Sequence, residues 1–229
     1  MAHLILGALT PALWWRFTWR VTLGELVGLG ASLSLMGLPL LWVTDPYDAV
    51  EVTTILLLAG LGGAVEGAVL GVAQLAPLRE RVPALRPGAW IAATAGTAAV
   101  CWLLGMLPST LLSMAAPASD VAAPTEAPPV DLVWELVQLG LAGVMGTVLG
   151  VVLASGQALV LGRVARGAGW WLLAHAVAWG IGMIWIFAVM AIFGPTRLMV
   201  PVGIPLAAGG AGLLVGAVSG LGLGRIRGR

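Results

Sequence analysis

Gly63 to Val82 reads GAVEGAVLGVAQLAPLRERV, and its first fifteen residues look like membrane-spanning helix with an acid, Glu66, in the middle. Glycine recurs at positions 63, 67 and 71, and the stretch ends in Arg79 and Arg81. An apolar helix, a small-residue face, a polar residue inside and arginines at one end recur along the whole chain.

Composition sets the class. Apolar residues make up 60% of the 229-residue chain and charged residues 9%, against about 25% charged in ordinary soluble domains, and the mean hydropathy is +1.03. Such a chain cannot cover itself for water, so it reads as an integral membrane protein. All 11 basic residues are arginine. Cys101 is the single cysteine, which excludes an intrachain disulfide and a thiolate metal cluster. The N-terminus lacks a basic start and a small-residue cleavage site, so the first span is expected to remain in the mature protein.

A hydrocarbon layer of ~30 Å takes ~20 apolar residues of helix. Six stretches meet that length: Val21–Val43, Val52–Leu75, Trp90–Leu107, Leu132–Leu161, Ala168–Phe193 and Ile204–Leu223. Residues 1–18 are expected to lie along the surface as an interfacial amphipathic segment. Residues 19–229 then form a single six-helix transmembrane domain, with an outer loop over 108–131 rich in Ala, Pro and Ser. Arg16, Arg20, Arg79, Arg81, Arg86, Arg163, Arg166, Arg225, Arg227 and Arg229 fall in one set of connections. Asp45, Asp48, Glu51, Asp120, Glu126 and Asp131 fall in the other, with Arg197. Arginine-rich connections stay in the cytoplasm, which places both termini inside. The expected location is a bacterial cytoplasmic (inner) membrane, crossed many times. Trp15, Trp19, Trp90, Trp170 and Trp171 stand at span starts, where amphipathic rings anchor helices at the headgroup layer.

Sliding the second span by 83 residues lays it on the fourth: Gly60, Gly63 and Gly67 meet Gly143, Gly146 and Gly150, and Gln74 meets Gln157. The sixth repeats the theme with Gly212, Gly216, Gly220 and Gly224. The chain therefore reads as three sequence-related helical hairpins, each entering at tryptophans and returning on a glycine face. Because each unit crosses twice, the units run the same way, unlike the inverted repeats of many transporters. Gly63, Gly67, Gly71, Gly146, Gly150, Gly212, Gly216 and Gly220 are the expected packing residues, since helices in lipid associate through close van der Waals approach. A groove for a foreign helix or a lipid-like ligand is the alternative use of those faces.

The endings Gly71-x-x-Gln74-x-x-x-Leu78-Arg79 then Gly88-x-Trp90, and Gln157-x-x-x-Leu161 then Gly169-Trp170-Trp171, resemble a loose set of uncharacterised bacterial multipass membrane proteins. Members of that set often carry tryptophan after the glutamine, where this chain has Leu75 and Ala158. The resemblance spans about 120 residues and implies no activity.

Three polar residues stand out inside the spans. An acid at a helix centre is disfavoured by ~2.5–3.5 kcal/mol on insertion scales, and the repeat counterpart of Glu66 is Leu149. Architecture alone therefore does not require that acid. Glu66 is expected to be protonated or paired, with His175 and Glu25 as conceivable partners: a proton-holding Glu–His pair, or two acids sharing a proton. An interhelical bond that merely holds the bundle is the plainer alternative. Glu25 stands five residues after Arg20, so its side chain could also reach the interface. His175, between Ala174 and Ala176 with Trp171 and Trp179 a turn away, could bond a neighbouring helix or ligate haem or chlorin. No other metal site is expected, and lipid, haem and chlorin are the conceivable bound groups.

No P-loop, dinucleotide fingerprint or HExxH is present, and the glycine runs lack the strand those motifs need. The arginines match topology rather than nucleic acid. An enzyme is not expected. The leading expectation is an accessory or scaffold subunit packing on other membrane subunits. The alternatives are a small proton- or cation-coupled transporter or channel using Glu66, and a haem- or chlorin-binding protein using His175.

Overall fold

The computed structural model describes residues 9–37, 48–115, 132–194 and 196–229. Six long helices carry them: α1 (Pro11–Gly37), α2 (Ala49–Arg81), α3 (Pro87–Ala115), α4 (Leu132–Gly162), α5 (Ala168–Phe193) and α6 (Ile204–Leu223). Backbone groups in hydrocarbon have no water to bond, so long apolar runs close their hydrogen bonds within a helix.

Five of these segments, α2 to α5 and Met199–Leu223, are long and apolar enough to cross a membrane. α1 falls short of that standard. Thr18, Thr22, Glu25, Ser32 and Ser34 dilute its apolar character, and the run Leu38–Val43 that extended the expected span lies outside the described residues. The expected interfacial segment divides. Residues 1–8 lie outside the described residues, while 11–18 form the first turns of α1, where Leu13 and Phe17 are buried in the bundle. The expected outer loop also starts later, because α3 continues through Pro108 to Ala115. Residues 116–131 lie outside the described residues.

The helix ends follow local chemistry. Asp48 caps α2: its Oδ1 accepts from the Glu51 N–H at 2.7 Å, and Glu51 Oε2 accepts from the Asp48 N–H at 2.9 Å, a reciprocal capping box. α5 follows Gly167, whose φ of +91° suits glycine and whose missing Cβ leaves room for the Arg225 carbonyl. α6 is entered through a π-turn, Met199–Gly203, in which the Ile204 N–H reaches back to the Met199 carbonyl.

Each helix packs on its neighbours in sequence, and α6 returns to α1, so the six close a ring whose thinnest seam lies between α3 and α4. The glycine faces set the tight pairs. A Cβ on Gly63 or Gly67 would stand 2.7 Å and 2.6 Å from the Ala98 and Thr94 carbonyl oxygens of α3. One on Gly71 would be 3.1 Å from Ile91 Cα. On α4, Gly146 and Gly150 abut the Trp179 and His175 carbonyls of α5. On α6, a Cβ on Gly212 or Gly216 would stand 2.8 Å from Thr22 Cα and Thr18 O of α1, and one on Gly220 3.0 Å from Trp14. Thus each even helix lays these glycines on the odd helix that follows it around the ring.

Arginines from the start of α1, the end of α2, the α4–α5 turn and the C-terminal segment gather at one end of the bundle, while Arg197 follows the other end of α5. Arg16 pairs with Glu80 at 2.7 Å, Arg81 donates to the Leu223 carbonyl at 3.2 Å, and Arg225 lies 5.0 Å over the Trp170 ring. A short antiparallel pairing of Ala165–Arg166 with Arg227–Gly228 ties the C-terminal segment to the α4–α5 turn.

Candidate functional site

The axis of the ring is filled at the arginine end and hollow beyond it. In the filled half, Trp171 meets Phe17 and Trp90 edge-on, with centroids 6.0 and 5.7 Å apart. All three rings are fully buried. This corrects the expectation that Trp90 and Trp171 anchor the interface; Trp15, Trp19 and Trp170 are about half exposed and remain at the surface. A start-of-span tryptophan goes to lipid or to the axis according to which side of its helix it occupies, and neighbouring Trp170 and Trp171 take opposite sides.

A polar knot lies against these rings. Gln157 Nε2 donates to Gln74 Oε1 at 2.9 Å and to Thr94 Oγ1 at 3.0 Å, while its Oε1 accepts from Trp171 Nε1 at 2.9 Å. One glutamine thereby joins α4 to α2, α3 and α5. The two glutamines matched by the 83-residue offset touch each other at the axis.

Above the knot the six helices line a partly open cavity of about 410 Å³. Its lining draws on α1 (Glu25, Leu29), α2 (Glu66, Leu70), α3 (Cys101, Trp102), α4 (Leu149, Leu153), α5 (Trp179, Ile186) and α6 (Ala207, Ala211). Five methionines complete it: Met106, Met145, Met183, Met190 and Met199. Among the described residues no arginine or histidine lines it.

Glu66 faces this space and is 6% exposed. Its Oε2 accepts from Trp102 Nε1 at 2.9 Å, and Ser32 lies beside the same carboxyl. Gly28 admits it, since a Cβ there would stand 3.1 Å from Glu66 Cα and Cγ. Glu25, one turn earlier on α1, lines the same cavity and is an electrostatic neighbour of Glu66. Its Oε1 is buried without a hydrogen-bond partner among the described residues. The structure therefore places Glu25 inside the bundle rather than reaching for the interface. The close fit of Gly212 against its Cβ, which a glycine Cβ would approach to 2.9 Å, puts α6 over that face of α1.

The Glu66–His175 pair does not form. His175 is fully buried, its Nδ1 lies 3.0 Å from the Trp171 carbonyl oxygen, and its Nε2 has no partner among the described residues. Its ring packs 4.3 Å from that of Trp171, and it is not among the cavity-lining residues. The imidazole is thus packed among side chains of the bundle, against the Trp171 ring. Trp102 is the site residue that sequence reading passed over. Its signal is its position, in the middle of an apolar span rather than at an end like the anchoring tryptophans.

Comparison with protein-family models, with curated proteins and with solved structures finds no match to this chain.

Proposed function

We propose that this protein is a small proton- or cation-coupled transporter or channel of a bacterial cytoplasmic membrane, with Glu66 as the exchanging site. The observation that carries the reading is the cavity of about 410 Å³ that Glu66 and Glu25 both line. A carboxyl placed only to hold helices together needs a donor, and Trp102 supplies one. It does not need a second acid facing the same hollow. Leu149, the residue matched to Glu66 by the 83-residue offset, lines the same cavity from α4. Equivalent positions thus face the axis with leucine on one helix and glutamate on another, so the acid serves the cavity rather than the bundle.

In this reading all six helices cross the bilayer as three related units, and the arginine end faces the cytoplasm with both termini. The pattern of even-helix glycines on the next odd helix, repeated three times around the ring, supports related units. The aromatic and glutamine layer closes the cavity from the cytoplasmic side, and Glu66 and Glu25 take protons or cations that reach the cavity.

The test is proton flux into proteoliposomes carrying the purified chain, driven by an imposed potential and followed with an internal pH dye. Flux that falls to the level of empty vesicles in Glu66→Gln is expected. Unchanged flux in that variant overturns the reading. The accessory-subunit reading keeps one observation, the thin α3–α4 seam, where a partner helix could pack. Stoichiometric subunits retained after mild extraction from the native membrane would favour it.

A further inference from the structure

We propose that the cavity binds one lipophilic organic cation, its charge beside Glu25 and Glu66 and its apolar body among the methionines. This rests on the reading that Glu66 serves the cavity, and it names what the cavity holds.

Size comes first. At about 410 Å³ the cavity exceeds what a proton or a bare metal ion fills, and it falls in the ~300–1,000 Å³ range of small-molecule sites. Charge comes second. Two carboxyls meet there with no basic residue in the lining among the described residues, and Glu25 Oε1 is buried with no partner. A buried carboxyl in that state is answered by a proton or by a cation brought from outside. Among cations, the lining discriminates. Hard metal ions such as calcium want six to eight oxygen ligands, whereas among the described residues two carboxyls are the lining's only acidic groups and most of the wall is Leu, Ile, Ala and Met.

A cation with a diffuse charge and an apolar body matches those surfaces. The Trp102 and Trp179 rings add aromatic faces to the same wall, and such faces attract cations by ~0.5–2 kcal/mol. Trp102 does so while its N–H holds Glu66 in place. The five methionines are unbranched and polarisable, so they adapt to apolar shapes without a fixed mould.

The probe is tetraphenylphosphonium, with triphenylmethanol as a neutral body of similar chemistry and tetramethylammonium as a charge without the body. Equilibrium dialysis on the purified full chain in detergent should show saturable binding near one tetraphenylphosphonium per chain. Affinity should fall at least tenfold in Glu66→Gln and in Glu25→Gln, and both competitors should displace the probe at least tenfold less well than unlabelled probe. Binding that does not saturate, binding unchanged in both variants, or triphenylmethanol competing equally overturns the proposal. Should the carboxyl variants fail to fold, Leu149→Trp adds bulk to the cavity wall from α4, a helix that carries neither acid, and binding at undiminished affinity in that variant overturns it as well. Glu66-dependent proton flux in a protein that binds no tetraphenylphosphonium would leave the transport reading standing and remove only this ligand class.

Discussion

The two halves of the ring are built from the same six helices and the same glycine spacing, yet one is filled along the axis and the other is hollow. At the arginine end, Phe17, Trp90 and Trp171 fill the axis, and one amide, that of Gln157, is bonded on both its nitrogen and its oxygen. At the far end the axis is wide, and Glu25 keeps a carboxyl oxygen without a partner among the described residues. Glycines draw helices together in both halves, so side-chain size on the axis, not helix spacing, decides where the bundle is solid. The solid half stabilises the fold through its packed rings and the bonds of Gln157, although Gln74 Nε2 and Trp90 Nε1 there lack partners among the described residues. The hollow half, where two carboxyls line an open space, is where a ligand has something to gain.

That contrast can be broken or sharpened by substitution. The largest effect is expected from Gly146→Leu, because its Cβ would drive into the Trp179 backbone carbonyl and backbone cannot step aside. Overpacking of this kind costs ~1–3 kcal/mol or more, and size-exclusion chromatography should show loss of a monodisperse folded peak. Survival of the native peak would mean that the α4–α5 pair is softer than its glycines imply.

Gln157→Leu comes next. It leaves Trp171 Nε1 and Gln74 Oε1 without their present partners. Bonds within membrane bundles average only ~0.6 kcal/mol, while orphaned buried groups cost ~1–3 kcal/mol, so a loss of about 2 kcal/mol is expected as a lower melting temperature in detergent. An unchanged melting temperature would deny the filled half its structural role.

Glu66→Gln should behave in the reverse manner. The amide keeps an oxygen to accept from Trp102 and removes an acid that membrane insertion disfavours, so the melting temperature should hold or rise while proton flux is lost. A marked drop in thermal stability with flux intact would make Glu66 a structural residue and equate the two halves. The smallest effect belongs to the outside of the ring: Leu57→Ala, at a side chain 69% exposed, should change stability by less than ~0.5 kcal/mol.

Much of the fold was legible before any tertiary contact was known. The bounds of α5 and α6, Ala168–Phe193 and Ile204–Leu223, coincide with the apolar runs read from the chain. All eight glycines expected to pack do so against a neighbouring helix. The site was legible only in part. Glu66 announces itself as an acid in an apolar run, but its partner Trp102 is 36 residues away. Of its two conceivable mates, Glu25 lines the same cavity while His175 lies against Trp171.

The amino-acid order by itself determined the membrane class, the long apolar helices, the end at which arginines gather and the faces that carry glycine. Those are local rules: in lipid each apolar run must close its own backbone bonds, and a glycine is small wherever it stands. Only the tertiary structure decided that α6 closes on α1, that Trp171 and Trp90 turn inward while Trp170 turns out, and that Glu25 joins Glu66. A cavity wall drawn from six helices is a property of how their faces meet around an axis, and no single stretch of chain contains that information.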